Sequence, residues 1–352
     1  MNVTRRQMVQ SISAGLMAAP MTGTAKAPIR VGQIGTRHAH ATKLSVYRES
    51  PDYEVVGLVE NDPGRRGELS KMAAFRDVPL MSEQQLLNTD GLQVVLVETE
   101  VRDLLPTAAR CVQAGMHIHL DKPAGESLPA FQRLLLDAQR RQLMVQLGYM
   151  YRYNPGVLLL KEFLRQGWLG EIFEIHAVMS KVIGDDVRRQ LAAYPGGVMF
   201  ELGCHLIDLV VGLAGKPQQV RPYQAGVLTA QDQLQDNMLA VFEYPSCLAT
   251  VKTSAVEVEG FARRHLAVCG TKGTFHMQPL DRPSVRVAFS EPRGDYRRGY
   301  QEITLPAYRR YVADAADMAS VIRGEKANEF GYKHDLHVQT AVLQASGLLP
   351  EK

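Results

Sequence analysis

The chain has 352 residues, 45% apolar and 22% charged, a balance that fits a globular protein with two domains and a sizeable core. No repeat or low-complexity tract is present, and beyond the first residues no uncharged apolar run reaches the roughly 20 residues of a membrane span. The net charge of +3 comes from 40 basic and 37 acidic residues, three of the basic ones within the first 27 positions, and the near-neutral remainder argues against nucleic acid or an anionic membrane as the main partner.

Residues 1–27 read as a processed leader. Arg5-Arg6 precede an uncharged stretch from Gln7 to Ala25, and Ala25-Lys26-Ala27 gives a small-x-small cleavage pattern. Thr4-Arg5-Arg6-Gln7-Met8-Val9 resembles a twin-arginine export signal, with Met8 and Val9 in place of the usual Phe-Leu pair. The expectation is a periplasmic or exported protein. A cytoplasmic protein with a basic tail is the alternative. That route moves folded proteins, so a cofactor could be loaded before crossing.

From Pro28 strands alternate with helices. Ile29 to Ile34 is a short apolar strand, Gly35-Thr36 begins a turn, and Ala39 to Glu49 suits a helix. Tyr53 to Val59 is a second strand ending in Glu60. Leu92 to Val97 is a third, followed by a helix over Leu104 to Ala114. His117 to Leu120 is a fourth, ending in Asp121-Lys122-Pro123, and a helix over Leu128 to Arg140 leads to Leu143–Gly148. This alternation implies a parallel sheet, with ligands at the carboxyl ends of its strands. A carboxylate at Glu60 can accept ribose hydroxyls and would repel a 2′-phosphate. It favours NAD, with NADP the alternative because Arg65 and Arg66 are close. The glycine fingerprint is incomplete: Arg37 and His40 stand where its second and third glycines would fall. Arg37 must therefore swing aside or contact phosphate itself, and His38 belongs to the same turn.

Further on, Pro195-Gly196-Gly197 opens a helix that carries Glu201, His205 and Asp208 at i, i+4 and i+7, on one face. An imidazole with a carboxylate one turn away is the unit of general base catalysis near neutral pH. The same three side chains could instead hold a metal ion, but no further close ligand is evident, so no metal is assigned. Asp185, Asp186, Arg188 and Arg189 read as a loop. Strands are expected at Glu171–Lys181, Gln218–Leu228, Met238–Tyr244, Cys247–Ala255 and His265–Cys269, joined by short turns as an antiparallel sheet requires. Pro283 to Tyr300 reads as hairpin and loop, and Ala307–Arg323 and His334–Ala345 as helices. The four cysteines show neither metal spacing nor a disulfide framework.

Four separated pieces, Val31–Thr36, Ala114–Pro123, Gly148–Pro155 and Gly196–Asp208, together resemble the Gfo/Idh/MocA oxidoreductases. The most specific parts are Ala-Gly-x-His-x-x-x-Asp-Lys-Pro and Gly-Gly-x-x-x-Glu-x-Gly-x-His-x-x-Asp. Asp121 stands for the family's usual Glu, and Glu201 for its usual Asp. The resemblance implies an α/β chain: a Rossmann domain over 28–150, then, over 151–352, an α/β domain with a large open, mostly antiparallel sheet. The final helices would pack back on the first domain, and a homo-oligomer would form through the sheet. It also implies hydride transfer at a carbohydrate or polyol carbon with a nicotinamide cofactor. Gly35, Thr36, Arg37, His38, Glu60 and Lys122 would lie on the cofactor, and Tyr151, Arg152, Asn154 and Asp208 on the substrate. Lys122, His205 and Glu201 would be catalytic: an ammonium to stabilise a developing alkoxide, an imidazole to take the proton, and a carboxylate partner. Which of Lys122 and His205 is the base stays open. Pro123 is expected to follow a cis bond. Two alternatives share this fold, a glycosidase that oxidises its sugar transiently and a sensor without catalysis.

Overall fold

The computed structural model describes residues 26–228 and 232–350, so the leader lies outside the described residues. The chain forms two compact units. Of the described residues, the first holds those up to Tyr149 and again Arg310–Leu336; the second holds Met150–Arg309 and the chain from His337.

The first unit is built on a five-stranded sheet of order β2-β1-β3-β4-β5, with β1 Ile29–Ile34, β2 Tyr53–Val59, β3 Leu92–Val97, β4 His117–Leu120 and β5 Val145–Leu147. Every pairing in it is parallel. Leu92, Val94, Val95, Leu96 and Val97 are all buried, as in a strand covered on both faces by helices. The helix Val101–Gln113 supplies Leu104, Ala108, Cys111 and Val112 to the core. The expected helix after β1 is a 3-10 turn, Ala41–Lys43, continuing into the α-helix Leu44–Glu49. Short helices at Pro63–Leu69 and Glu83–Leu87 join the strands; Asp62 caps the first and Ser82 with Gln85 forms a capping box on the second. The helix Val312–Ile322 returns to this unit. Its Ala315, Met318 and Ala319 share a core with Ile29, Leu44, Tyr47 and Tyr53, and Tyr53 donates a hydrogen bond to the Ala315 carbonyl at 2.7 Å.

In this sheet the strand order reverses direction at β1, between β2 on one side and β3 on the other. That is the crevice where parallel sheets bind ligands. Gly35 lies there with φ of 90°, and a Cβ on it would meet the Glu98 carbonyl oxygen at 2.7 Å. The close passage of the loop after β3 is what requires glycine at this position.

The second unit carries an eight-stranded sheet of order β13-β12-β11-β10-β6-β9-β8-β7. Its strands are β6 Ile172–Ser180, β7 Gln219–Gln224, β8 Asn237–Glu243, β9 Leu248–Ser254, β10 His265–Gly270, β11 Gly273–Met277, β12 Val285–Phe289 and β13 Gly299–Ile303. Among the described residues only β6 and β9 pair in parallel; the other pairings are antiparallel. Burial alternates as one covered face demands: Met238, Ala240 and Phe242 are buried while their neighbours in β8 are half-exposed. The helix Pro155–Arg165 packs on the covered face through Phe163, whose ring lies 5.5 Å from that of Phe289. The helix Cys204–Ala214 packs on β6 and β9.

Two local readings change and one holds. Asp185–Ala192 is a helix rather than a loop. The stretch expected as hairpin and loop forms one: β12 and β13 pair antiparallel across the loop between them. The helix bearing Glu201 opens with a π-helical turn, Met199–Gly203. That turn widens the spacing between Glu201 and His205 beyond the ideal α-helical phase assumed from their four-residue separation.

Candidate active site

At the carboxyl ends of β1 and β2, Glu60 is buried and accepts a hydrogen bond from the Thr36 hydroxyl at 2.5 Å and from the Asp62 amide at 3.0 Å. Arg65 clamps Thr36 from the other side, at 3.1 Å to both its hydroxyl and its carbonyl. Arg37 is exposed, paired with Asp62 and lying 3.8 Å from Glu100. Exposed pairs of this kind contribute about 0–1 kcal/mol, so Arg37 is free to leave them for a phosphate. The tight glycine turn, the acid ending β2 and a movable cation beside the crevice together fit a dinucleotide.

Beneath this loop lies a buried polar cage. Lys43 has no solvent contact, and its ammonium meets Asp121 Oδ2 at 2.5 Å, His119 Nε2 at 2.7 Å and Glu98 Oε1 at 3.0 Å. The ammonium hydrogen-bonds His119 and Asp121, and Glu98 completes its surroundings as an ion pair. The tautomer of His119 follows from its neighbours. Gln146 donates its amide to the Asp314 carbonyl at 3.1 Å, so its oxygen accepts from His119 Nδ1 at 2.9 Å. The Nε2 lone pair is then left for Lys43. Tyr311 offers its ring face 5.2 Å from the same ammonium.

The charges in the cage are set by one another. Burial opposes the Lys43 ammonium, but Asp121 and Glu98 outweigh it and raise its pKa. Burial also opposes the Asp121 carboxylate, yet His38, Lys43 and His40 hold it well below the usual carboxylate range. Burial and the Asp121 charge push Glu98 well up. Burial lowers His40 to about 4, and burial with the nearby Lys43 charge lowers His119 to about 3, so both are neutral at pH 7. His38, His40 and Asp121 form one group of metal-type donors, and Glu98, His119 and Asp121 another. The Lys43 ammonium already occupies the second.

Lys122 follows directly. Its side chain is buried at the end of β4, and the Lys122–Pro123 peptide is cis. The Lys122 amide donates to Asp121 Oδ1 at 2.7 Å, and its carbonyl accepts from His38 Nε2 at 2.8 Å. His38, expected on the cofactor, turns its ring into the cage instead.

In the second unit, Gly196 and Gly197 have φ of 97° and 57°, and a Cβ on Gly197 would lie 2.5 Å from the Gln235 carbonyl oxygen. The glycine pair is required there. His205 is buried, with the Tyr151 ring edge-on at 5.6 Å. Tyr151 donates to Asp281 at 2.7 Å, which Arg264 also holds at 3.0 Å. Asp208 and Arg152 form a buried forked pair, at 2.6 and 3.0 Å to Oδ1. Asn154 caps the helix Pro155–Arg165 and donates to the Leu280 carbonyl at 2.9 Å, so its amide serves the fold. Glu201 is half-exposed and accepts from the Tyr194 hydroxyl at 3.3 Å. Arg188 is buried against Asp232 and Asp236, which makes it structural. Glu201, His205 and Asp208 do not gather as metal ligands among the described residues.

Sequence reasoning missed Lys43, Glu98, His119 and Gln146 in the first unit, and Arg264 and Asp281 in the second. One signal was available. His117, His119 and Asp121 alternate with Ile118 and Leu120, placing polar groups at every second position of a strand inside a core.

A parallel sheet with a glycine turn after its first strand, an acid after its second and a lysine ending its fourth defines a nicotinamide-dependent dehydrogenase. Residues 29–149 match the oxidoreductase family with an NAD-binding Rossmann fold, and residues 157–276 match the GFO/IDH/MocA C-terminal domain. The chain belongs to the Gfo/Idh/MocA family and is an NAD(P)-dependent oxidoreductase. It is 25% identical over 274 residues to the uncharacterized oxidoreductase YdgJ of Escherichia coli, covering 76% of this chain and 77% of that one. It is 23% identical to inositol 2-dehydrogenase of Salmonella typhimurium, covering 74% and 75%. Among solved structures it is similar to UDP-N-acetylglucosamine 3-dehydrogenase GnnA of Acidithiobacillus ferrooxidans, with a TM-score of 0.75, 20% identity and coverage of 92% and 98%.

Proposed function

We propose that this oxidoreductase acts on a secondary hydroxyl of a sugar, polyol or glycoside. Similarity to inositol 2-dehydrogenase supports a polyhydroxylated substrate. The observation that carries the reading is Lys122, a buried lysine at the carboxyl end of a parallel strand with both its amide and its carbonyl bound by side chains.

The Gly35–Thr36 turn, Arg37 and Glu60 hold the cofactor, which when bound accepts or returns a hydride. The chain's own residues do the rest. Lys122 stabilises the negative charge that grows on the substrate oxygen, a task for which a prepositioned cation suits a dry site. His205 takes the hydroxyl proton, with the Tyr151 ring fixing its plane and Glu201 contacting substrate hydroxyls. Arg152 acts through Asp208, holding the base of the His205 helix.

The reading includes export through the twin-arginine leader with cofactor loaded, recycled by oxidising one substrate and reducing another. It also includes a homo-oligomer formed through the open face of the eight-stranded sheet, where Tyr223, Leu248 and Tyr300 are exposed. The test is to denature the purified protein and identify the released nucleotide, then to mix protein, NAD and a sugar and polyol panel while following nicotinamide absorbance. Absence of both released nucleotide and NAD binding would overturn it.

A further inference from the structure

The loop that replaces the glycine fingerprint is joined to the proposed catalytic lysine through the buried cage. His38 comes from this loop and donates to the Lys122 carbonyl at 2.8 Å. His40, two residues on, lies with Nδ1 3.1 Å from Asp121 Oδ1, the oxygen that accepts the Lys122 amide at 2.7 Å. Asp121 is itself held from its other oxygen by Lys43 at 2.5 Å, and the end of β5 closes against it: a Cβ on Gly148 would lie 2.7 Å from Asp121 Oδ1.

We propose that Lys43 and His38 are positioning residues for Lys122, acting through Asp121 and the Lys122 carbonyl. This rests on the assignment of Lys122 to the reaction. Lys43 acts as a built-in cation. Its three partners, Glu98, His119 and Asp121, are groups of the kind that bind metals, and the ammonium sits among them in place of an ion. The held Asp121 carboxylate then directs one oxygen at the Lys122 amide, while His38 fixes the carbonyl. A backbone bound at both its amide and its carbonyl fixes the point from which the Lys122 side chain starts. That limits the misplacement that costs catalytic groups their effect. The same histidines sit in the loop that meets the cofactor phosphates, so loop and lysine move as one piece.

The exchange arm of the test reads protection around the Lys122 amide and needs no known substrate. Hydrogen exchange is followed by mass spectrometry on peptides spanning 118–126 and, as a control, β3, in full-length Lys43→Met, His38→Phe and His38→Gln proteins. A glutamine amide can reach the Lys122 carbonyl as His38 Nε2 does, and a phenylalanine cannot. Exchange at Lys122 is expected to rise about tenfold or more in His38→Phe and Lys43→Met, with β3 unchanged, and to return to within about threefold of the native rate in His38→Gln. If Lys43→Met does not fold, the two His38 variants decide alone. Native protection at Lys122 in His38→Phe, or an equal rise in the β3 control in all variants, would overturn the inference and leave the cage a stabiliser of the fold. Lys122→Ala separates the two readings. If that variant keeps full turnover, the assignment of Lys122 fails and the inference falls with it. If Lys122→Ala is inactive while the exchange pattern stays flat, the positioning role alone is wrong.

Discussion

Lys43 and Asp121 meet at 2.5 Å with both side chains fully out of solvent. The pair is the charge centre of the first unit. Its partners are His119, held neutral by burial and the Lys43 charge, and Glu98, pushed toward neutrality by burial and by Asp121. Removing one member leaves a charge with no counterpart. Lys43→Met should lower stability by about 3–5 kcal/mol, whereas Lys43→Met with Asp121→Asn should recover part of the loss. Denaturant unfolding of the three proteins checks this.

The cage also sets an acid limb. His40 falls from 6.5 to about 4 on folding, so the unfolded chain binds its proton first as pH drops. Stability from this group is complete above about pH 6.5 and is lost progressively down to about pH 4, at up to about 1.4 kcal/mol per pH unit. His119 adds in the same direction. Glu98 has the opposite sign: its raised pKa favours the fold below its ordinary value and loses that benefit as pH rises. Replacing His40 by Asn should flatten the limb between pH 6.5 and 4 by one proton, as read from unfolding midpoints across that range.

Among the described residues Arg37 is held only by exposed partners. Arg37→Ala should change stability by less than about 0.5 kcal/mol and weaken NADH binding about tenfold, with a shallower salt dependence. Tighter binding in Arg37→Gly would mean that the side chain obstructs the phosphates instead of holding them. Fluorescence titration with NADH at two ionic strengths distinguishes the outcomes.

Much of this was legible in the chain. The strand runs, the two glycine turns and the Asp-Lys-Pro and Glu…His motifs lie where apolar period and turn chemistry put them. What stayed hidden has a physical reason. Lys43 sits in Ala-Thr-Lys-Leu-Ser-Val-Tyr, where a lysine reads as solvated, and only the meeting of β3, β4 and the loop after β1 supplies the acceptors that bury it. Arg152 and Asp208 are 56 residues apart, so their pairing is invisible to local spacing. The π-turn before His205 was missed because a glutamate and a histidine four residues apart look the same in an α-helix and beside a bulge.

Export is tested separately. Replacing Arg5 and Arg6 by Lys should retain the protein in the cytoplasm on cell fractionation, while the native leader delivers it, with nucleotide attached, outside the inner membrane. Equal distribution of the two proteins would remove export from the proposal.

The most direct measurement is reduction of bound nicotinamide by a panel of sugars and polyols in native, Lys122→Ala and His205→Asn proteins, with NADH affinity determined for each. The native protein is predicted to turn over at least one polyhydroxylated alcohol. Each variant is predicted to lose about 100-fold or more in kcat while binding NADH within a few fold of native. Native turnover in both variants, or a native protein that neither carries nor binds nicotinamide nucleotide, would contradict the account.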